Sequence, residues 1–596
     1  MKIPNPDNPV FVQRNQGERD AFSNVAGTFN CDFTKYPGKV CPSARLIQGT
    51  NTTDEAALEQ CSNFVAWDGV YWTSSEDNTY IGNATGAFDL DDNTYAPGGG
   101  GNQDADTENS DVVVYDGAVI VSLSTRIYRR DDYTNNWTKD WFSGLSGGAA
   151  LTSGNPHPME PLLFTNVLAI GDGNIIRTVQ KPSGSYTATA TKLTLSASHY
   201  IKWIRSGLSR AYIGCTYAGN GDGFGLVYEW DGGDVLPTRV YKLDSFGAFT
   251  ATTVGDTLYI LTTNGELQVL EGGGFRTVGA LPIVGKYKNL DNWDGDFNPV
   301  NVGQRGMVAK DGKILINISS KIDASSVSAG SYFPYFPSGV WEYDPQTGRF
   351  SHKFSATMDK TGSVDMGQWC SPALADSCPG GIQATKDNRS YSILLQHGYY
   401  TDASATNKSA IYVDDQFGTT KRRARIWTNE VFAPEDTTQW EVALKYQKMK
   451  NADDKIVVKY RTHRSAAYPL KGAVTWTSST VFTTTSTDFA NAAVGDEVFV
   501  TVGHGGGCSA HIASISLATS TYTVTLDEAI YGITASDAGI VAVEDFKKLA
   551  SFNDRAQTQR TITIPSPTSP SCQVLIELHS DGGDSPILDE IDVRPV

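Results

Sequence analysis

Gly255-Asp-Thr-Leu-Tyr-Ile-Leu-Thr-Thr-Asn-Gly-Glu-Leu-Gln-Val-Leu-Glu-Gly-Gly-Gly-Phe275 holds the key to the fold. A glycine/aspartate turn opens a short run in which apolar side chains alternate. An Asn-Gly turn follows, then a second alternating run, then a third glycine turn that leads to an aromatic. Period-two alternation between such turns is the signature of short antiparallel strands. The same grammar recurs on both sides. Upstream, Tyr115-Asp-Gly-Ala-Val-Ile-Val leads to Arg126-Ile-Tyr-Arg-Arg and Trp137, Asn166-Val-Leu-Ala-Ile-Gly leads to Asn174-Ile-Ile-Arg-Thr-Val, and Arg210-Ala-Tyr-Ile-Gly leads to Leu226-Val-Tyr-Glu-Trp-Asp-Gly. Downstream, Lys310-Asp-Gly-Lys-Ile-Leu-Ile leads to Val340-Trp-Glu-Tyr-Asp, and Arg389-Ser-Tyr-Ser-Ile-Leu-Leu leads to Ser409-Ala-Ile-Tyr-Val-Asp. A weaker copy stands first, Phe64-Val-Ala-Trp-Asp-Gly-Val-Tyr-Trp.

Repetition every ~40–60 residues of a unit with a few short strands predicts blades of a β-propeller. One blade cannot bury both of its faces, whereas a ring of blades buries all of them. The predicted fold is therefore all-β: a β-propeller of six or seven blades over 60–416, with a stack of β-sandwiches as the alternative. Residues 1–59 lack periodicity and are expected to form an extended N-terminal arm. The Gly- and Asp-rich stretch Asp89 to Asp111 is expected to be a loop between blades.

The pattern changes after 417. Trp440-Glu-Val-Ala-Leu-Lys-Tyr and Asp454-Lys-Ile-Val-Val-Lys-Tyr-Arg are clean strands, and strands resume at Thr561-Ile-Thr-Ile and Gln573-Val-Leu-Ile-Glu-Leu. Between them lies a Thr/Val/Gly-rich segment with its own strands. This reads as a β-sandwich over 417–470 plus 548–596, interrupted by a small β-barrel domain at 471–547.

Composition narrows the function. The chain has 596 residues, a net charge of −18 and 19% charged residues. Such acidity opposes gripping nucleic acid by its phosphates but permits nucleic acid to pass without adhering. The opening Met1-Lys-Ile-Pro-Asn-Pro has no apolar h-region, so no secretory signal is expected. No membrane segment is expected either, since no run of about 18 apolar residues occurs. The eight cysteines do not form a regular framework. Most are expected to be buried thiols, while Cys31/Cys41 and Cys370/Cys378 are near enough in sequence to pair under oxidising conditions.

The search for chemistry yields no catalytic, cofactor-binding or metal-binding residues. Ser363-Val-Asp-Met-Gly-Gln-Trp369 approaches the turn motif that braces sialidase-like blades, but it occurs once and is one residue short. His504, Cys508 and His511 have metal-like spacing without a further ligand pair. Asp89-Leu-Asp-Asp-Asn93 offers hard oxygens but lacks the glycine and closing glutamate of a calcium loop. Asp231-Gly-Gly-Asp and Asp581-Gly-Gly-Asp read as turns. Lys421-Arg-Arg-Ala-Arg, the basic cluster, reads as a solvated hinge or a contact with an acidic neighbour subunit. A propeller glycoside hydrolase would need carboxylates and arginines meeting at the central axis, and no such set stands out.

The blades with Asp-Gly turns (Leu226-Val-Tyr-Glu-Trp-Asp-Gly-Gly, Val340-Trp-Glu-Tyr-Asp-Pro), the segment Trp476-Thr-Ser-Ser-Thr-Val-Phe through Gly495-Asp-Glu-Val-Phe-Val, and the ending Ser585-Pro-Ile-Leu-Asp-Glu-Ile-Asp-Val resemble large virion proteins of tailed bacteriophages. The resemblance implies a non-enzymatic virion protein of the tail, assembled in the host cytoplasm: a nozzle or tail-tip ring component lining part of the DNA-exit channel. It implies a homo-oligomer meeting other tail or portal-adaptor proteins, with passive contact with exiting DNA. Residues 1–50 of the arm, which lack a core of their own, are then expected to reach a neighbouring subunit. The alternative under the same resemblance is a receptor-binding tail fibre or adsorption protein that holds a host surface glycan.

Overall fold

The computed structural model describes residues 25–48, 61–91, 111–281, 300–322, 338–355, 371–372, 380–385, 392–400, 407–415 and 422–596, apart from a few positions inside these spans. Nearly every described element is a strand. The exception is a single 3-10 turn at Thr487–Asn491.

Seven small antiparallel sheets form the propeller. Blade 1 runs Cys61–Trp67, Val70–Ser75, Asn78–Gly82, Phe88–Leu90; blade 2 runs Asp111–Tyr115, Ala118–Leu123, Arg126–Arg130, with Thr138 bridged to Arg129. Blade 3 is Met159–Leu162, Val167–Asp172, Ile175–Gln180, Thr187–Thr194, and blade 4 is His199–Ser206, Ala211–Tyr217, Leu226–Trp230, Arg239–Lys242. Blade 5 is Ala248–Val254, Thr257–Thr262, Glu266–Glu271, Gly274–Ala280. Blade 6 is built on Met307–Lys310, Lys313–Ile322, Gly339–Asp344, Arg349–Phe354. Blade 7 has Ile382–Ala384, Ile393–Tyr400 and Asn407–Asp415, and its fourth strand is Arg45–Gln48, drawn from near the start of the chain.

The first strand of each blade lies against the first strand of the next, and blade 7 returns to blade 1. Each of the seven seams carries its own apolar cluster. Trp72, Val112 and Trp137 fill the seam between blades 1 and 2, and Phe64, Leu394 and Val413 fill the closing seam. Burying each such side chain contributes roughly 1.5–3 kcal/mol, so the alternating pattern becomes stable only when the ring closes. The Asp-Gly turns behave as hairpin chemistry requires. Asp116 and Gly117 have φ of 48° and 73°, and Asp311 and Gly312 have 50° and 73°, the positive pair that Asp-Gly accommodates most readily.

The seventh blade corrects one expectation. Within the arm predicted over 1–59, the described residues belong to this chain's own sheets. Val25–Phe29 pairs with Arg422–Thr428 of the sandwich, Cys31–Asp32 pairs with Cys41–Pro42, and Arg45–Gln48 closes the propeller. Leu46 is fully buried between blades 6 and 7. Val25–Phe29 and Arg45–Gln48 lack a local core because their partners lie more than 350 positions away, which periodicity cannot reveal.

The sandwich faces one sheet (Val25–Phe29, Arg422–Thr428, Ser569–Ser580, Lys455–Arg461, Lys547–Phe552, with Val431–Thr437 beside Ser569–Ser580) against another (Gln559–Ile564, Trp440–Tyr446, Leu588–Pro595). Trp440, Val458, Ile576 and Ile591 are among its core residues. The inserted barrel closes in the order Leu470–Ser478, Val481–Thr484, Thr521–Leu526, Ser509–Ala518, Glu497–Gly503, Ala538–Glu544. Inside it the ring of Trp476 meets Phe482 edge-on at 5.0 Å.

Asn30 joins the propeller to the sandwich. It adopts a positive φ of 56° and is fully buried. Its backbone N–H donates to His352 Nδ1 on blade 6 (2.9 Å), its Nδ2 donates to the Arg423 carbonyl in the sandwich (2.9 Å), and its Oδ1 accepts from the Ser355 N–H (3.3 Å). Beside it, Phe29 stacks on His352 at 5.2 Å and meets Phe499 of the barrel edge-on at 6.2 Å.

Candidate functional sites: the propeller axis and the barrel joint

The loop Gly303–Gly306 enters the propeller axis ahead of the first strand of blade 6. Arg305 donates from Nη1 to Glu160 Oε2 (2.7 Å) and from Nη2 to Asp111 Oδ2 (3.0 Å) and to the Met159 carbonyl. Its own carbonyl accepts from Ile382 N–H of blade 7 (3.0 Å). The Gln304 carbonyl accepts from Thr250 Oγ1 of blade 5 (2.9 Å) and from Arg205 of blade 4. The loop therefore ties the inner strands of blades 2, 3, 4, 5 and 7 together. Burial works against the charge on Arg305, and Asp111 with Glu160 outweigh it and raise its pKa. Arg205 is pulled down to about 9 by burial and by the neighbouring Arg305 charge.

Carboxylates and arginines thus do meet at the axis, as a propeller hydrolase would need. They are committed to one another: Asp111 Oδ2 also accepts from Met159 N–H (2.9 Å), and Glu160 Oε1 accepts from Ser206 N–H (3.0 Å). General acid–base catalysis needs a positioned group within reach of a substrate proton, whereas this set acts as a clasp. None of the four residues stands out in the sequence. Each is a single charge at or near a strand end or in a loop, and up to 194 positions separate the partners.

The second site lies where the barrel covers the outer face of the larger sandwich sheet. In Arg422–Thr428, Ala424 and Ile426 point into the sandwich core, so alternation sends Arg423 and Arg425 to the other face. Arg425 Nη2 donates to Glu497 Oε1 of the barrel (2.6 Å), and its guanidinium lies over the Phe499 ring at 4.1 Å. Lys459 Nζ reaches Glu497 Oε1 (2.6 Å), Glu577 Oε1 (3.0 Å) and Ser509 Oγ (2.9 Å). Arg425, Lys459, Glu497 and Glu577 are all essentially without solvent exposure. Burial pushes both glutamates toward the neutral form, and Arg425 and Lys459 outweigh it, so both pKa values fall below the usual range. His579 bridges Glu577 Oε2 (3.0 Å) and Arg423 Nη2 (3.2 Å), and burial followed by the Arg423 charge brings it down to about 3.

Around this centre the signs continue to match. Lys455 pairs with Glu528 at 3.3 Å, Lys548 also pairs with Glu528, Arg461 meets Glu544 and Asp545 at 3.1 Å, and Lys547 meets Asp496. A cationic sheet face thus clamps an anionic barrel face. The basic cluster read as a hinge or as a contact with an acidic neighbour subunit is instead buried in part against an acidic domain of the same chain.

The other sequence candidates fall elsewhere. Asp231 accepts from the backbone N–H groups of Gly233 and Asp234 at 2.9 Å, which lower its pKa, and so caps an exposed turn. Asp584 holds Tyr36, Lys35 and Lys450, which keep it down to about 2 against the effect of burial. Asp91 is buried against Arg130 Nη1 (2.8 Å) and Trp137 Nε1 (2.7 Å). Cys508 sits in the barrel core, and His511 faces Asp527 at 3.8 Å. Cys31 and Cys41 are buried free thiols. Residues 92–110, 363–369, His504, Cys370 and Cys378 lie outside the described residues. Among the described residues no group of three His, Cys, Asp or Glu is arranged to hold a metal ion, and no helix is long and apolar enough to cross a membrane.

No protein-family model and no curated protein matches the chain. Solved structures do. YCF48 bound to D1 peptide is 8% identical, with 63% of this chain and 95% of that one covered and a TM-score of 0.36. The N-terminal domain of Nup159 is 8% identical over 62% and 95%, with a TM-score of 0.32. BBS1N in complex with ARL6DN is 12% identical over 63% and 98%, with a TM-score of 0.34. At such values the fold rests on the order of the sheets themselves: an all-β chain with a seven-bladed propeller, a sandwich and an inserted barrel.

Proposed function

We propose that this chain is a structural protein of a tailed-bacteriophage virion, a subunit of a nozzle or tail-tip ring, with no catalytic role. The observation that supports this reading is the use of its buried ionisable groups. At the axis and at the barrel joint, acids and bases are paired off to hold domains together. That is the economy of a scaffold that must keep its shape under force. The closed axis adds a constraint. DNA leaving the particle would run between copies of the chain, past the acidic surface, and not through any one propeller.

Cryo-electron microscopy of particles that carry the protein tests this. The expected result is a symmetric ring at the tail end, with the propeller axes displaced from the particle axis. Copies projecting away from the tail axis would contradict it. They would favour the adsorption reading, for which the structure offers a cleft of about 450 Å³ lined by Asp453, Lys455, Tyr531 and Asn553. Titration with host-surface oligosaccharides would decide that second reading.

A further inference from the structure

Strands within a blade are antiparallel, so the turns between first and second strands and between third and fourth strands all emerge on one face of the propeller. In blades 1, 2 and 6 the first of these turns is polar and minimal: Asp68-Gly69, Asp116-Gly117 and Asp311-Gly312. Blades 3 and 4 differ. Their first turns are longer and carry a leucine, Leu163 at 72% exposure and Leu208 at 66%. The third-to-fourth turn of blade 4 adds Val235 and Leu236, at 67% and 71%, and blade 5 adds Val254 at 40%.

These side chains form one patch. The backbone N–H of Leu163 donates to Ser206 Oγ (3.0 Å), which fastens the blade 3 turn to the blade 4 turn. A Cβ placed on Gly255 would lie 3.9 Å from Leu208 Cδ1, and one placed on Gly232 would lie 3.1 Å from Leu162 Cδ1 and 3.3 Å from Phe164 Cε2. The turns of blades 3, 4 and 5 therefore touch in sequence. A hairpin turn has no need of an exposed leucine, and a contiguous exposed apolar patch marks an interaction surface.

Carboxylates predominate at the rim of the patch. Asp231, Asp234 and Asp256 surround it, two of them fixed by backbone N–H groups. Two bases lie beside them and both already hold partners of this chain: Arg210 donates to Glu229 Oε1 (2.5 Å), and Arg239 bonds to Tyr241. A second copy of this acidic chain, meeting the patch through the same face, would bring the same carboxylates to the contact, at an electrostatic cost.

We propose that this face docks a partner polypeptide whose contacting segment interleaves apolar side chains with lysine or arginine. The apolar side chains cover Leu163, Leu208 and Leu236, and the basic ones meet Asp231, Asp234 and Asp256. The inference stands apart from the virion reading, since it rests on this face alone.

Selection of a random-peptide display library on the full chain tests it, with enriched peptides synthesised and titrated by fluorescence anisotropy. Enriched peptides are expected to combine apolar residues with Lys or Arg. The double variant L163D/L208D should lower their affinity by roughly tenfold or more. D234K should weaken binding several-fold at low salt, and the gap should close as salt is added. All three substituted side chains are exposed, so the melting curve of each variant should overlay that of the parent. If a leucine variant misfolds, D234K carries the test alone. Enrichment of acidic or uncharged peptides, no enrichment, or affinities indifferent to the substitutions would overturn the proposal. Self-association of the parent that L163D/L208D abolishes would overturn it in favour of a second copy.

Discussion

The propeller and the barrel–sandwich joint solve the same problem, holding sheets together, by opposite means. Propeller seams are apolar and repeated seven times, with buried ion pairs set beside them at the axis and within or between blades, as in Arg130–Asp91, Arg177–Asp172 and Arg349–Glu342. The joint is ionic at its centre and at its rim, with Phe499 among the few apolar groups beneath Arg425. Apolar seams are non-directional and tolerate variation in blade size. A charged joint tolerates little, because each buried ion needs its partner in place. The difference suits an inserted domain, which must settle in one orientation on a sheet it does not extend.

Removing residues 1–48 is expected to have the largest effect. It takes away the fourth strand of blade 7, the buried Leu46 and the Asn30 junction together, so the ring should not close. Loss of the cooperative unfolding transition, followed by near-ultraviolet circular dichroism and limited proteolysis, is the expected outcome. A truncated chain with the parent's melting curve would show that the apolar seams suffice without it. Leu46→Ala alone should cost about 2–5 kcal/mol in urea unfolding.

Next in size, Arg305→Ala leaves Asp111 and Glu160 buried without their cation and should cost about 3–5 kcal/mol. Lys459→Met should cost a comparable amount, but in the sandwich and barrel. If each variant lowers one transition and spares the other, the two regions are separate cooperative units. If both variants lower one shared transition, the Asn30 junction couples them.

Mild acid should act on the junction and joint more than on most of the seams. His352 is kept neutral by burial, at about 3, and His579 likewise at about 3. In the unfolded chain each takes a proton near its ordinary value of about 6.5. Their contribution to stability is therefore complete above that value and declines as pH falls from about 6.5 toward 3. In His352→Gln, a side chain that does not titrate, the fall in melting temperature between pH 7 and pH 5 should be smaller. Lys455→Ala, at the exposed rim, should cost at most about 1 kcal/mol.

A propeller of six or seven blades was readable because the strands alternate and each Asp-Gly turn has a backbone requirement of its own; the structure fixes the number at seven. The inserted barrel was readable from a change of composition. The closing strand Arg45–Gln48 was not, since four residues carry no period and their partner Tyr412–Asp415 is remote. The axial clasp was hidden for a related reason: Asp111, Glu160, Arg205 and Arg305 each read locally as a solvated charge, and only ring closure assembles them. Alternation in Arg422–Thr428 does imply two faces. It does not say that the charged face is covered, and so Arg425 was read as lying at a hinge or a subunit boundary.

A cysteine pair tests most directly whether this scaffold is closed by its own N-terminal strand. Ile47 lies opposite Val413 in blade 7, so I47C/V413C should oxidise to a crosslink within one chain, giving a monomer of altered mobility on non-reducing gels at every protein concentration. Crosslinked dimers or larger species, increasing with concentration, would mean that the strand is exchanged between copies and would contradict the account.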